Sequence, residues 1–279
     1  MSTITLATRR PFNWRVYLVL LALLGLASLA AIPHVLMPAL VAREEAGLLV
    51  PLLLAVAIVA LASLPLGALL GGIGLLLAGR TGLGLPFIEG WAKKEPIWDR
   101  CRGTLVLSVV IGVVASLVGV GLDEWVFAPL LEAELHRLGS TLSERAVSPV
   151  WQWPTIVVTA PIWEEVAFRL FGLTFLAWLI GRINHDKEGR PTPLVFWAAN
   201  ALTAVAFGLD HLMQATPISG SLTLIVIRVT QAMTCQGACG LALGWLYWKR
   251  GLESAMLAHS AINVTAIIVV EPLLRSGGL

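Results

Sequence analysis

Apolar residues fill this chain in long blocks separated by short polar interruptions. Seven blocks can be marked, at roughly 16–41, 47–79, 103–131, 151–181, 194–214, 218–248 and 251–271. An α-helix needs about 20 apolar residues to cross a bilayer. Only helices or closed barrels satisfy their backbone polar groups in lipid, and none of the blocks alternates as a barrel strand does. The pattern predicts an all-α, polytopic helical membrane protein with about seven transmembrane helices, or eight if one long block is two elements. The second and sixth blocks are the longest. Pro65 and the glycines at 67, 71, 72 and 74 predict a break in the second. The first block is too long for a signal-peptide core and lacks a small-residue cleavage site, so a retained first span is expected.

Composition agrees: 57% of residues are hydrophobic and 13% charged, against about 25% charged in a soluble domain. A net charge of +2 gives no reason to expect a nucleic-acid partner. The placement of the charges says more than their sum. With the N-terminus in the cytoplasm, the inner side holds 13 Lys and Arg residues, among them Arg9, Arg10, Arg15, Arg80, Lys93, Lys94, Lys249 and Arg250. The outer side holds only Arg43, Arg137, Arg145 and Arg275. That asymmetry predicts a multi-pass protein of the plasma membrane with a cytoplasmic N-terminus. Most tryptophans fall near block ends, where amphipathic rings sit at the interface; Trp163 is the exception. The stretch "RTGLGLPFIEGWAKKEPIWDRC", 80–102, mixes aromatic and basic residues and is expected along the cytoplasmic membrane surface, with a solvated loop as the alternative. No repeat, low-complexity tract or soluble domain interrupts the chain, which reads as one continuous membrane domain. Cys101, Cys235 and Cys239 form no even disulfide framework; Cys235 and Cys239 read as helix-packing residues, with a metal or redox pair as the alternative.

Polar groups inside apolar blocks are the informative positions, because a charge at the bilayer centre faces a cavity or a partner. The fourth block carries Glu164, Glu165 and Arg169. The fifth carries Asn200, Asp210 and His211, the sixth Arg228, Gln231 and Gln236, and the seventh Glu253, His259 and Asn263. Glu165 and Arg169, four apart, can pair across one helical turn. Glu164 is rotated about 100° from its neighbour and can point at a different surface. Phe207 and His211 share a face, as do His259 and Asn263. Converging faces would bring together a carboxylate, two imidazoles and a carboxamide. Such a set suits hydrolysis: a shielded carboxylate as base for water, one histidine orienting that water, and a second histidine with an amide N–H for the oxyanion. Glu164, His211 and His259 could instead hold zinc, although the HExxH pattern is absent. Each position also has a plainer reading. Histidines near helix ends are often packing residues, Arg228 can snorkel, and Glu253 sits near the inner interface and needs no chemistry.

In order along the chain, "EEVAFR" at 164–169, "FGLDH" at 207–211 and "HSAIN" at 259–263 resemble the motifs of the CPBP family, the CAAX proteases and bacteriocin-processing enzymes also called Abi proteins. The resemblance covers roughly residues 150–270. It implies an N-terminal region of membrane helices and surface segment, 1–150, followed by a catalytic helical core, 151–271. It also implies an intramembrane endopeptidase in which Glu164 is the water-activating base and His211 positions the water. His259 and Asn263 then form the oxyanion side, Glu165 and Arg169 brace the site, and Phe207 shapes the cavity. The family has been described both as metal-dependent and as glutamate-dependent; with no third histidine and no helix-encoded zinc motif, the metal-free reading is favoured. Asp210 departs from the family pattern, which has an apolar or small residue there; it could hydrogen-bond His211 or face the outer headgroups. The implied partners are membrane lipid and a lipidated or membrane-inserted peptide. Two other readings are a non-proteolytic scaffold of the same family and a proton-coupled transporter; the absence of visible inverted repeats counts against the latter.

Overall fold

The computed structural model describes residues 11–33, 49–139, 149–215 and 221–270. Arg9, Arg10, Arg43, Arg145, Arg275 and the end of the first block, 34–41, lie outside the described residues. The described chain is helical, with a single antiparallel bridge, His185–Pro191, closing a turn. Helix α1 spans Trp14–Ala30 and starts at Asn13, whose Oδ1 accepts the N–H groups of Arg15 and Val16. Helix α2 spans Leu49–Thr81 and α3 is the short Pro86–Ala92. Helix α4 runs over 98–137, with a π-turn at Asp123–Phe127. Helix α5 covers 155–180 and has two π-helical stretches, Thr155–Thr159 and Glu165–Leu173. Helix α6 is Pro193–Ala215, and α7 is Leu222–Arg250 with a π-turn at Met233–Gly237. Helix α8, over 252–270, also ends in a π-turn.

Helix α5 is the hub, in contact with α1, α2, α6 and α8. Its Val166, Leu170, Leu173 and Ala177 are fully buried and join Leu20 and Leu24 of α1 and Tyr247 of α7 in the main core. Helix α4 packs outside this group against α7 and α8, leaving Val106, Val110, Val114 and Val118 exposed as an apolar stripe. Among the described residues, five helices are long and apolar enough to cross a membrane: Ser63–Thr81, Cys101–Arg137, Pro193–Met213, Leu222–Arg250 and Leu252–Val269. The blocks at 16–41 and 151–181 are not among them, for different reasons. Helix α1 is described over 17 residues, while α5 carries the ionisable Glu164, Glu165 and Arg169, the last two buried within the protein. An all-α integral membrane protein is what the helices define.

Two local expectations change. The glycines of α2 do not break it; the helix continues for 33 residues through Pro65, about 50 Å at 1.5 Å per residue. They are contact points instead. A Cβ on Gly74 would lie 2.6 Å from the Leu170 carbonyl oxygen, so its absence lets α2 approach the α5 backbone. The surface stretch is not a free solvated loop. Leu83 and Leu85 are buried, and α3 lies between α1 and α8. Glu253 holds it there: its Oε1 accepts the N–H groups of Phe87 and Ile88, both at 3.0 Å, while Leu252 N–H donates to the Gly84 carbonyl at 3.0 Å. Glu253 thus caps a short helix from another part of the chain and sets where α8 begins.

The α4–α8 seam depends on small residues, the usual means of close helix approach in membranes. Ser108 and Ser254 hydroxyls are 2.7 Å apart, and a Cβ on Gly112 would lie 2.4 Å from the Ala258 carbonyl oxygen. Because backbone cannot swing aside, Gly112→Ala is expected to destabilise by about 1–3 kcal/mol. Gly103→Ala, with open space around it, serves as the control and should melt as wild type does in detergent.

Candidate active site

The site begins with a backbone irregularity. Pro161 has no N–H, and the Ala160 N–H already bonds the Thr155 carbonyl through the wide turn at Thr155–Thr159. The carbonyls of Ile156 and Val157 are therefore short of helical donors. Helix α8 supplies them: Asn263 Nδ2 donates to Ile156 O at 2.7 Å and Ser260 Oγ to Val157 O at 3.0 Å. Buried carbonyls need such partners, and these two bonds dock α8 beside the start of α5.

One turn further along α5, the ionisable groups meet. Glu165 is fully buried, and its Oε1 lies 3.1 Å from Arg169 Nη1 in an ion pair. The pair forms although residues 165–173 are π-helical, so the spacing of an ordinary α-turn does not describe it. The Thr174 hydroxyl donates to the Arg169 carbonyl at 3.2 Å, within that wide turn. Arg169 Nη2 also donates to the Gly240 carbonyl of α7 at 3.1 Å, and its guanidinium lies 4.5 Å from the Phe207 ring centre. Glu165 Oε1 has a second partner, His259 Nδ1 of α8, at 2.8 Å. Since a carboxylate only accepts, Nδ1 carries the proton and the other ring nitrogen is turned outward. That nitrogen, Nε2, lies 3.8 Å from Glu164 Oε2. Glu164 is about one-fifth exposed, and its Oε2 is buried with no hydrogen-bond partner.

Phe207 ties in the remaining helix. Its buried ring packs 4.5 Å from the His211 ring and 5.9 Å from that of His259. His211 Nδ1 donates to the Phe207 carbonyl at 3.0 Å, a bond that fixes its tautomer and leaves Nε2 available. His211 is close enough to Glu164 for the two to interact electrostatically.

The structure therefore brings together Glu164, Glu165, Arg169, Phe207, His211 and His259. Asn263 commits one of its two amide N–H groups to the Ile156 carbonyl. Asn263→Ala should leave that carbonyl orphaned and lower stability by about 1–3 kcal/mol, read as a lower melting temperature in detergent. A residue engaged only with an oxyanion would lose activity with no such shift. Four contacts were not foreseen: His259 to Glu165, the Gly240 and Ile156 carbonyls, and Ser260. The serine lies inside "HSAIN" beside the histidine, and that adjacency was the available signal; a carbonyl has none. Gln231 hydrogen-bonds Asp123 between α7 and α4, and the three cysteines are free thiols.

The zinc alternative needs Glu164, His211 and His259 as a group. Among the described residues, no three His, Cys, Asp or Glu side chains are arranged to hold a metal ion. No step below runs through a metal.

Paired glutamates and two histidines thus meet between the helices of an all-helical integral membrane protein. The comparison with protein families is more specific: the Rce1-like model, described as type II CAAX prenyl endopeptidase Rce1-like, matches residues 146–265. The match spans 120 of the chain's 279 residues and holds every residue of the site. No curated protein and no solved structure matches the chain.

Proposed function

We propose that this protein is an intramembrane endopeptidase that hydrolyses a peptide bond close to a lipid or membrane anchor, with Glu164 activating the water. The observation that carries the reading is the orphaned Glu164 Oε2 facing a histidine that a second glutamate holds from behind. A water hydrogen-bonded to Glu164 and to His211 Nε2 gives its proton to the carboxylate as its oxygen attacks the scissile carbonyl carbon. The free N–H of Asn263 donates to the tetrahedral oxyanion, and His259 adds a second donor from Nε2 when both of its ring nitrogens carry protons. Collapse breaks the C–N bond, and Glu164 returns the proton to the leaving amine. Glu165 and Arg169 position His259 without touching substrate.

The division into a membrane-anchoring region, 1–150, and a catalytic core, 151–271, belongs to this proposal. So does an N-terminus in the cytoplasm of a plasma-membrane protein, on the charge asymmetry. The family description supports a lipidated, CAAX-like substrate, and a site reached between helices suits a peptide already held in the membrane.

The test uses purified protein in detergent with a fluorogenic peptide, lipidated at a cysteine or unmodified, each with and without a strong zinc chelator. Chelator-insensitive cleavage of the lipidated peptide, at least about tenfold above the unmodified one, is the expected result; tenfold corresponds to about 1.4 kcal/mol. Cleavage abolished by chelator and restored by zinc would overturn the metal-free mechanism. No cleavage of either peptide by folded wild type would count against proteolysis and favour a scaffold.

A further inference from the structure

A cavity lies away from Glu164 and His259, at the end of the bundle where α1 starts and α2 ends. It is an open cleft of about 490 Å³ between the first turn of α1, the last turns of α2 and the α3 segment. Its apolar wall is Val16, Leu75, Ala78 and Leu83, and its polar wall includes Arg15 and Lys93. Glu89 also lines the cleft, but its Oε1 is occupied by the Leu85 N–H at 3.1 Å. Arg15 is spread over the Ala92 carbonyl, with Nη1 at 3.4 Å, and Lys93 is paired only at 4.0 Å, with the exposed Glu95.

Two observations set the depth of the cleft. It opens where the Ser63–Thr81 span ends and the apolar Trp14–Ala30 helix begins. The tryptophans around it, Trp14 and Trp91, are more than 60% exposed, as expected of rings at headgroup level. A ligand at that depth would meet water on one side and acyl chains on the other, and the cleft offers two cations above an apolar wall.

We propose that this cleft binds the headgroup of an acidic phospholipid, with the phosphate between Arg15 and Lys93 and the first acyl carbons along Val16, Leu75 and Ala78. Arginine suits a phosphate geometrically and lysine adds a mobile point charge. The site would be independent of the hydrolytic one, and its test needs no substrate.

The experiment titrates purified full-length protein in neutral detergent with short-chain phosphatidylglycerol, phosphatidylcholine or water-soluble glycerol phosphate, and follows thermal unfolding by tryptophan fluorescence. Phosphatidylglycerol should raise the melting temperature in a saturable manner, and the other two should not. Each cation removed should weaken binding about fivefold, so the Arg15→Gln/Lys93→Gln double variant should shift the midpoint by about 25-fold. Lys93→Gln alone changes an exposed side chain and keeps the test valid should the double variant fold poorly; it should shift the midpoint about fivefold. Equal stabilisation by phosphatidylcholine or glycerol phosphate would overturn the proposal. So would a Lys93→Gln titration that superimposes on wild type.

Discussion

Glu164→Gln should lower peptide turnover by about a hundred- to ten-thousandfold, the range that general-base catalysis supplies, with no loss of folded protein. The substitution keeps the shape of the side chain and removes only its ability to take a proton from water. Because the base acts in the chemical step, kcat should fall while KM stays near its wild-type value. Stability provides the second half of the prediction. Glu164 Oε2 is buried without a hydrogen-bond donor and faces His259 only at 3.8 Å. A buried, poorly compensated carboxylate is unfavourable to fold, so the glutamine variant should melt at or above the wild-type temperature. Full turnover by the variant would sink the assignment of Glu164 as base. A large drop in melting temperature would show instead that Glu164 is a structural ion-pair partner.

The largest effect on stability should come from Arg169→Met. Methionine fills similar space but leaves the fully buried Glu165 without its guanidinium and the Gly240 carbonyl without its donor. Breaking a buried pair from one side costs about 3–5 kcal/mol, a large part of the roughly 5–15 kcal/mol that holds a folded protein together. Little folded Arg169→Met protein should survive detergent extraction, judged by a monodisperse elution peak and a cooperative melt. Adding Glu165→Gln to that variant removes the stranded charge, and the amide oxygen can still accept from His259 Nδ1. The double variant should therefore recover part of the lost stability. Arg169→Lys should not substitute, because one ammonium lacks the planar fork that serves a carboxylate and a carbonyl together. An Arg169→Met protein that melts as wild type does would refute the bracing role.

Glu165 and Arg169 show how far helical spacing could be trusted. Their pairing was legible from a separation of four residues, and it forms. The reason given was incomplete, because the stretch is π-helical and the pair is shared with His259. The glycines of α2 misled in the opposite direction. Gly74 looked like a flexible point, whereas it is where another backbone approaches. Glu253 read as an interfacial charge that needs no chemistry, and its position gave no sign that it caps α3. In each case the missing information was the identity of a neighbour distant in sequence.

What the sequence determined by itself was the class of protein and the short list of residues to examine. Long apolar blocks point to membrane helices, and an ionisable group placed in lipid is so unfavourable that Glu164, Glu165, Arg169, His211 and His259 stand out against them. Only the tertiary structure decided which of these groups face one another. His259 turns Nδ1 to Glu165 and Nε2 to Glu164, Asn263 gives an N–H to Ile156, and Arg169 reaches Gly240. Three of these partnerships involve either a main-chain carbonyl or a helix whose turn is widened locally. Every residue has a carbonyl, so composition and spacing cannot single one out; helix packing and the donor that Pro161 lacks do.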